Sequence, residues 1–128
     1  MGLTQINTLI QEGASATLFA KLRDPRTREL VPKSSVVSLF LTLYDEFTKT
    51  IINSRDKQNV LDANGGAIDA NGEFTMQLDP IDNIIVDPTK AINQETHVAL
   101  FQFTFDGGFQ TGIQEVFFEV NNTGTIDD

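Results

Sequence analysis

The feature that most constrains this chain is an apolar residue at every second position. Residues 95–105 read ETHVALFQFTF and residues 110–120 read QTGIQEVFFEV. Strand side chains point alternately to opposite faces, so a period of two predicts strands with one apolar side. The intervening Asp106-Gly107-Gly108 supplies the positive-φ residues of a tight turn, which predicts an antiparallel hairpin. The same period recurs upstream. In residues 36–44, VVSLFLTLY, Val37, Leu39, Leu41 and Leu43 share one side, and Ser38, Phe40, Thr42 and Tyr44 the other. Leu18, Ala20 and Leu22 alternate within 16–22, and Phe74, Met76 and Leu78 within 73–79. Residues 49–53 suit a short strand around Ile51 and Ile52. One helical turn is expected over 80–83, with Asp79 as cap and Pro80 at the first helical position.

About seven strands separated by turn residues, without a long helix, predict an all-β, two-sheet antiparallel β-sandwich, with a barrel as the alternative. A length of 128 residues suits one domain. Residues 14–121 are assigned to the sandwich. Residues 1–13, set off by Gly13, are read as an N-terminal arm, and 122–128 as a polar tail.

Composition narrows the function. Nine basic residues stand against eighteen acidic ones, a net charge of −9. That argues against binding duplex DNA through broad phosphate neutralisation, and no nucleic-acid partner is expected. Without cysteine there is no disulfide framework and no thiolate metal site. No apolar run approaches the ~18 residues of a membrane span, and the first residues lack the basic flank and apolar stretch of a secretory signal. The charge is also lopsided. Residues 1–57 hold eight basic and six acidic groups, whereas 58–128 hold Lys90 against twelve acids. Lys21, Arg23, Arg26, Arg28 and Lys33 crowd one Pro-bearing segment. Local pairing of Arg26 and Arg28 with Asp24 and Glu29 is one reading of that segment. A basic edge that meets an acidic neighbouring subunit is the other.

The outward strand faces are more apolar than a lone sandwich requires. If Phe101, Phe103 and Phe105 point inward, Val98 and Leu100 point out. If Val116, Phe118 and Val120 point inward, Phe117 points out. Phe19, Phe40 and Tyr44 also take outward positions. Scattered exposed rings are ordinary, but a contiguous apolar patch marks an interface. Phe19, Phe40, Tyr44, Leu100 and Phe117, with Arg23, Arg26 and Arg28, are therefore the candidate interface residues.

Candidate chemistry is sparse. The tetrapeptide DANG occurs at 62–65 and again at 69–72. Its alternating oxygen ligands suggest calcium, but the intervening positions fail the calcium-loop pattern, and Asx-Gly pairs are ordinary turn formers. His97 is the only histidine; it cannot supply a two-histidine metal site and reads as a half-exposed sheet residue. No G-x-S-x-G nucleophile motif and no phosphate-binding glycine loop occurs. No catalytic residue, cofactor or metal is expected, and the chain reads as a non-enzyme.

A set of segments carries a family resemblance. Leu22-Arg23-Asp24-Pro25, Leu41-Thr42-Leu43-Tyr44-Asp45-Glu46, Ile51-Ile52-Asn53, Gln58-Asn59-Val60-Leu61, Asn64-Gly65-Gly66 and the run from Thr96 to Phe105 occur in that order. Together they resemble small immunoglobulin-like proteins encoded among the virion genes of tailed bacteriophages, over most of residues 14–121. The resemblance implies an immunoglobulin-like fold and a non-enzymatic virion subunit, assembled in the host cytoplasm. It implies a place at the head–tail junction or, alternatively, on the capsid as a decoration protein. Its partners would be portal, connector, capsid or tail subunits and further copies of itself, with no membrane. A carbohydrate-binding module for host-surface recognition is the alternative from another class, but with no Trp and one Tyr the chain is poorly supplied with sugar-stacking rings. An accessory domain of a bacterial enzyme is a third reading, disfavoured by the lack of a flanking domain.

Overall fold

Runs of β-branched and aromatic residues extend because such side chains pack well on a pleated surface. The computed structural model describes residues 2–86 and 94–121, the first eight by backbone alone. Within them lie β1 (Gly2–Gln11), β2 (Ala16–Lys21), β3 (Val36–Asp45), β4 (Gln58–Asn59), β5 (Gly66–Ile68), β6 (Glu73–Leu78), β7 (Gln94–Phe105) and β8 (Gln110–Asn121). One sheet has the order β1-β8-β7-β3-β4 and the other β2-β6-β5. Strands β2, β5 and β6 thus occupy one layer and β1, β3, β4, β7 and β8 the other. The fold is the expected β-sandwich, with eight strands among the described residues.

The core lies between the layers. Leu18, Phe74, Met76 and Leu78 from the smaller sheet meet Leu39, Leu41, Leu43, Phe101, Phe103, Val116 and Phe118 from the larger one, all nearly inaccessible to water. Phe74 and Phe101 join the sheets edge to face, with ring centroids 5.0 Å apart. Strands β7 and β8 pair without a break from Gln94 opposite Asn121 to Phe105 opposite Gln110. Their turn holds Asp106, Gly107 and Gly108 at positive φ, as the glycine pair requires. Inside the hairpin Gly112 lies opposite Phe103, and a methyl group there would meet two ring carbons of Phe103 at 2.8 Å. The missing side chain is the room the ring occupies.

Three local expectations are corrected. Val37 was assigned to the inward face but is 54% exposed, while Val36 packs against the core. The pairing of β3 with β7 slips between Val36 and Ser38, and one extra residue reverses the parity on that side of the slip. Residues 49–53 form no strand. Ile51 makes a single bridge to Tyr44, and Lys49, Asn53 and Ser54 turn the chain through positive φ. Ile52 is nonetheless buried, its N–H donating to the Leu43 carbonyl at 2.9 Å. The larger sheet, expected to be antiparallel, is mixed, because β1 runs parallel to β8 with a register break between Gln5 and Leu9. The segment read as an arm therefore lies along the sheet edge.

The turn at Pro80–Asn83 is a 3-10 turn, as its prolyl start allows. It is held from within. Asp82 is fully buried and accepts from Arg55 Nε at 2.6 Å, Arg55 Nη2 at 3.0 Å, Asn53 Nδ2 at 2.8 Å and the Asp79 N–H at 2.7 Å. Arg55 is 4% exposed and also donates to Gln58 Oε1 and the Asn64 carbonyl. One buried ion pair thus ties the β3–β4 connection to the β6–β7 connection.

Candidate functional site

Pairing register decides which of the outward residues meet. On the outer face of the five-stranded sheet, Val98 of β7 lies directly between Tyr44 of β3 and Phe117 of β8. Leu100 lies between Thr42 and Glu115, and Gln102 between Phe40 and Ile113. The result is an apolar row of Tyr44, Val98 and Phe117, followed by Leu100 and, diagonal to it on either side of Gln102, by Phe40 and Ile113. Val98 is inaccessible, Tyr44, Leu100 and Phe117 are half-buried, and Phe40 and Ile113 are open at 37% and 47%. Such lateral cover is what cross-strand pairs on one sheet face provide. Leu100 and Phe117 lie on the adjacent strands of the hairpin, diagonal to one another.

The border of the band is acidic. Burial, then the charges of Glu115 and Glu46, raise the Tyr44 hydroxyl above the usual phenol value. Lys49 stands over the same ring, with Nζ 5.7 Å from its centroid.

The remaining candidates lie elsewhere. Phe19, 66% exposed, faces outward from β2 opposite Thr75, on the other sheet. It does not join the Tyr44–Phe117 band. Arg23, Arg26 and Arg28 belong to the tight β2–β3 connection. Asp24 Oδ2 accepts from Arg26 Nη2 at 2.8 Å and Oδ1 from Arg26 Nε at 3.1 Å, while Oδ1 also accepts the Arg26 N–H at 2.8 Å. The Arg26 side-chain hydrogen bonds, then its N–H, hold the Asp24 carboxyl down at about 2. Arg23 Nη1 donates to the carbonyl of Arg28, which takes φ 68°. The local-pairing reading of Arg26 with Asp24 is thus realised, whereas Arg28 forms no ion pair among the described residues. Lys33 pairs instead with Asp62 at 2.7 Å. Beside this loop, Asp24, Arg26, Leu30, Pro32, Phe105 and Asp106 line an open cleft of about 220 Å³. Two further rings missed at the sequence level, Phe47 and Phe109, are 85% and 87% exposed in turns. Turn position, outside any alternating run, gave no parity by which to place them.

Both DANG copies are turns. Asp62 Oδ1 accepts the Ile68 N–H, while Asp69 Oδ1 accepts the N–H groups of Asn71 and Glu73. Asp62, Asn64, Gly65 and Gly72 have positive φ. The carboxylates serve the backbone, as turn-forming Asp residues do.

His97 is the main correction. Read as half-exposed, it is completely buried, with Glu95 at 2% and Asp45 at 1% exposure beside it. All three continue the inward parity of their strands. Asp45 follows Leu39, Leu41 and Leu43 on β3, and Glu95 and His97 precede Ala99, Phe101 and Phe103 on β7. Register places Asp45 directly opposite His97. His97 Nε2 lies 2.9 Å from Glu95 Oε1, which also accepts the Val86 N–H at 2.7 Å, and 3.9 Å from Asp45 Oδ1. With Glu95 ionised, this hydrogen bond requires the proton on Nε2, because a carboxylate only accepts. Asp45 Oδ2 accepts from the Thr48 N–H and hydroxyl, both at 2.8 Å, whereas the buried Oδ1 has no hydrogen-bond partner among the described residues. The Phe118 ring stands edge-on to the imidazole at 5.8 Å. Part of the signal was available, because Glu95 and His97 share the parity of Ala99, Phe101 and Phe103, and strand alternation alone places them inside.

No family model matches this chain, and a search of curated proteins finds no match to it.

Proposed function

We propose that this chain is a non-enzymatic structural subunit of a tailed-bacteriophage particle. In this reading it docks on neighbouring virion proteins at the head–tail junction through the outer face of its five-stranded sheet. The observation that carries the reading is the set of outward apolar residues Phe40, Tyr44, Leu100, Ile113 and Phe117 gathered on one sheet face. Each 100 Å² of apolar surface that a partner removes from water there contributes about 2.5 kcal/mol. The acidic border of Glu46 and Glu115 supports a partner whose facing rim is basic, because charge complementarity orients docking more than it strengthens it. Agreement of the sandwich with the fold implied by the family resemblance adds support, although fold alone assigns no function.

The test is substitution of Phe117 by Glu within the phage genome, followed by composition analysis and reconstruction of purified particles. The reading expects wild-type particles to carry the chain at the portal–tail junction, with Phe117 covered. It expects the substituted chain to fold but to be missing from particles. A folded Phe117→Glu chain incorporated at the normal level, or particles without the wild-type chain, would overturn the reading.

A further inference from the structure

We propose that Asp45, Glu95 and His97 form a buried binding site for one divalent transition-metal ion of the zinc class. Each residue presents one ligand atom, and the three atoms lie within 4.8 Å of one another. Each has an exposure of 2% or less. A tetrahedral ion with bonds of ~2.0–2.2 Å sets its ligand atoms roughly 3.3–3.6 Å apart. The present separations from His97 Nε2 are 2.9 Å to Glu95 and 3.9 Å to Asp45, so they bracket that value.

A second observation points the same way. Thr48 holds Oδ2 of Asp45 through two hydrogen bonds, which leaves the other oxygen, Oδ1, buried, aimed at the imidazole and without a hydrogen bond. A buried acceptor left unmatched is costly, and an ion would satisfy it. The surrounding contacts resemble those that orient metal ligands: Thr48 fixes one carboxylate, and the Val86 N–H fixes Glu95 Oε1. The donor set also selects the metal. One imidazole nitrogen with two carboxylates suits zinc, whereas calcium takes six to eight oxygens and magnesium an octahedral shell of oxygens. Binding uses the Nε2 lone pair, so a proton held on Nε2 leaves to solvent or moves to Nδ1. With a neutral imidazole, the dication brings these three side chains to zero net charge.

The site is closed, so loading is tested by refolding. The full chain is stripped with chelator, unfolded in urea and refolded with one equivalent of zinc, calcium or magnesium chloride, then desalted. The proposal expects about one zinc retained per chain, a melting temperature raised by several degrees, and neither effect with calcium or magnesium. Because His97 is the only histidine, the imidazole ¹⁵N resonances report this site alone, and Nε2 should shift with saturation at one equivalent. Asp45→Asn should lose zinc retention. If that variant fails to fold, the wild-type ¹⁵N shift still decides. Zinc retained without a change at His97 would mark surface binding and overturn the proposal, as would refolding in zinc with no retention.

Discussion

Substitution of Asp82 by Ala should be among the most damaging single changes in this protein. The carboxylate is fully buried and receives both Nε and Nη2 of Arg55, whose side chain is 5% exposed. Two unit charges about 4 Å apart at an effective dielectric near 20 attract by roughly 4 kcal/mol, which the cost of desolvating both offsets in the intact protein. Removing Asp82 keeps most of that cost and leaves Arg55 only the exposed Asp79 carboxylate, 3.7 Å from Nη2, and such breaks cost about 3–5 kcal/mol. Asn53 Nδ2 and the Asp79 N–H lose their acceptor as well, but Asp79 lies near solvent and water can partly replace it. For a chain of this size the loss corresponds to a fall in melting temperature of roughly 10–20 °C. Urea denaturation of wild type, Asp82→Ala, Arg55→Met and the double variant measures it as a thermodynamic cycle. The double variant should lose clearly less than the sum of the singles, because neither charge is then left buried alone. An Asp82→Ala cost below about 1 kcal/mol, or additive singles, would refute the claim that this pair clamps the β3–β4 connection to the β6–β7 connection.

Three further outcomes are expected. Gly112→Ala should destabilise by about 1–3 kcal/mol in denaturant melts, because the new methyl group overlaps the Phe103 ring; pairing it with Phe103→Leu should recover much of the loss. Asp24 should titrate near 2 by NMR and return toward 3.8 in Arg26→Ala. Since its folded value lies below its unfolded one, its contribution to stability is present above about pH 4 and fades as the pH falls toward 2. Calcium added to the chelator-stripped chain should leave the melting temperature unchanged, because the carboxylates of Asp62 and Asp69 are engaged with Lys33 and with backbone N–H groups; a reproducible rise in millimolar calcium would make those turns ligands.

Alternation along β3, β6, β7 and β8 was legible without a structure because it is local: successive side chains of an extended chain must point to opposite faces. It placed Leu39, Phe74, Phe101 and Phe118 in the core and Phe40, Tyr44, Leu100 and Phe117 on the outside. The same rule, carried two to four residues past the inward apolar positions, places Asp45, Glu95 and His97 inside; polarity alone had suggested otherwise for His97. Beyond that reach lay everything that depends on which strand meets which. Only the slip between Val36 and Ser38 turned Val37 outward, and only the pairing of β3 with β7 set Asp45 opposite His97. Phe19 and Phe117 share outward parity but sit on different sheets, a separation that follows from strand order. Arg55 and Asp82 are 27 positions apart with no spacing to link them, and their contact exists because packing two sheets brings two connections together. Parity is a property of the backbone at each residue, whereas register, layer and ion-pair partner are set by the minimum free energy of the whole packed chain.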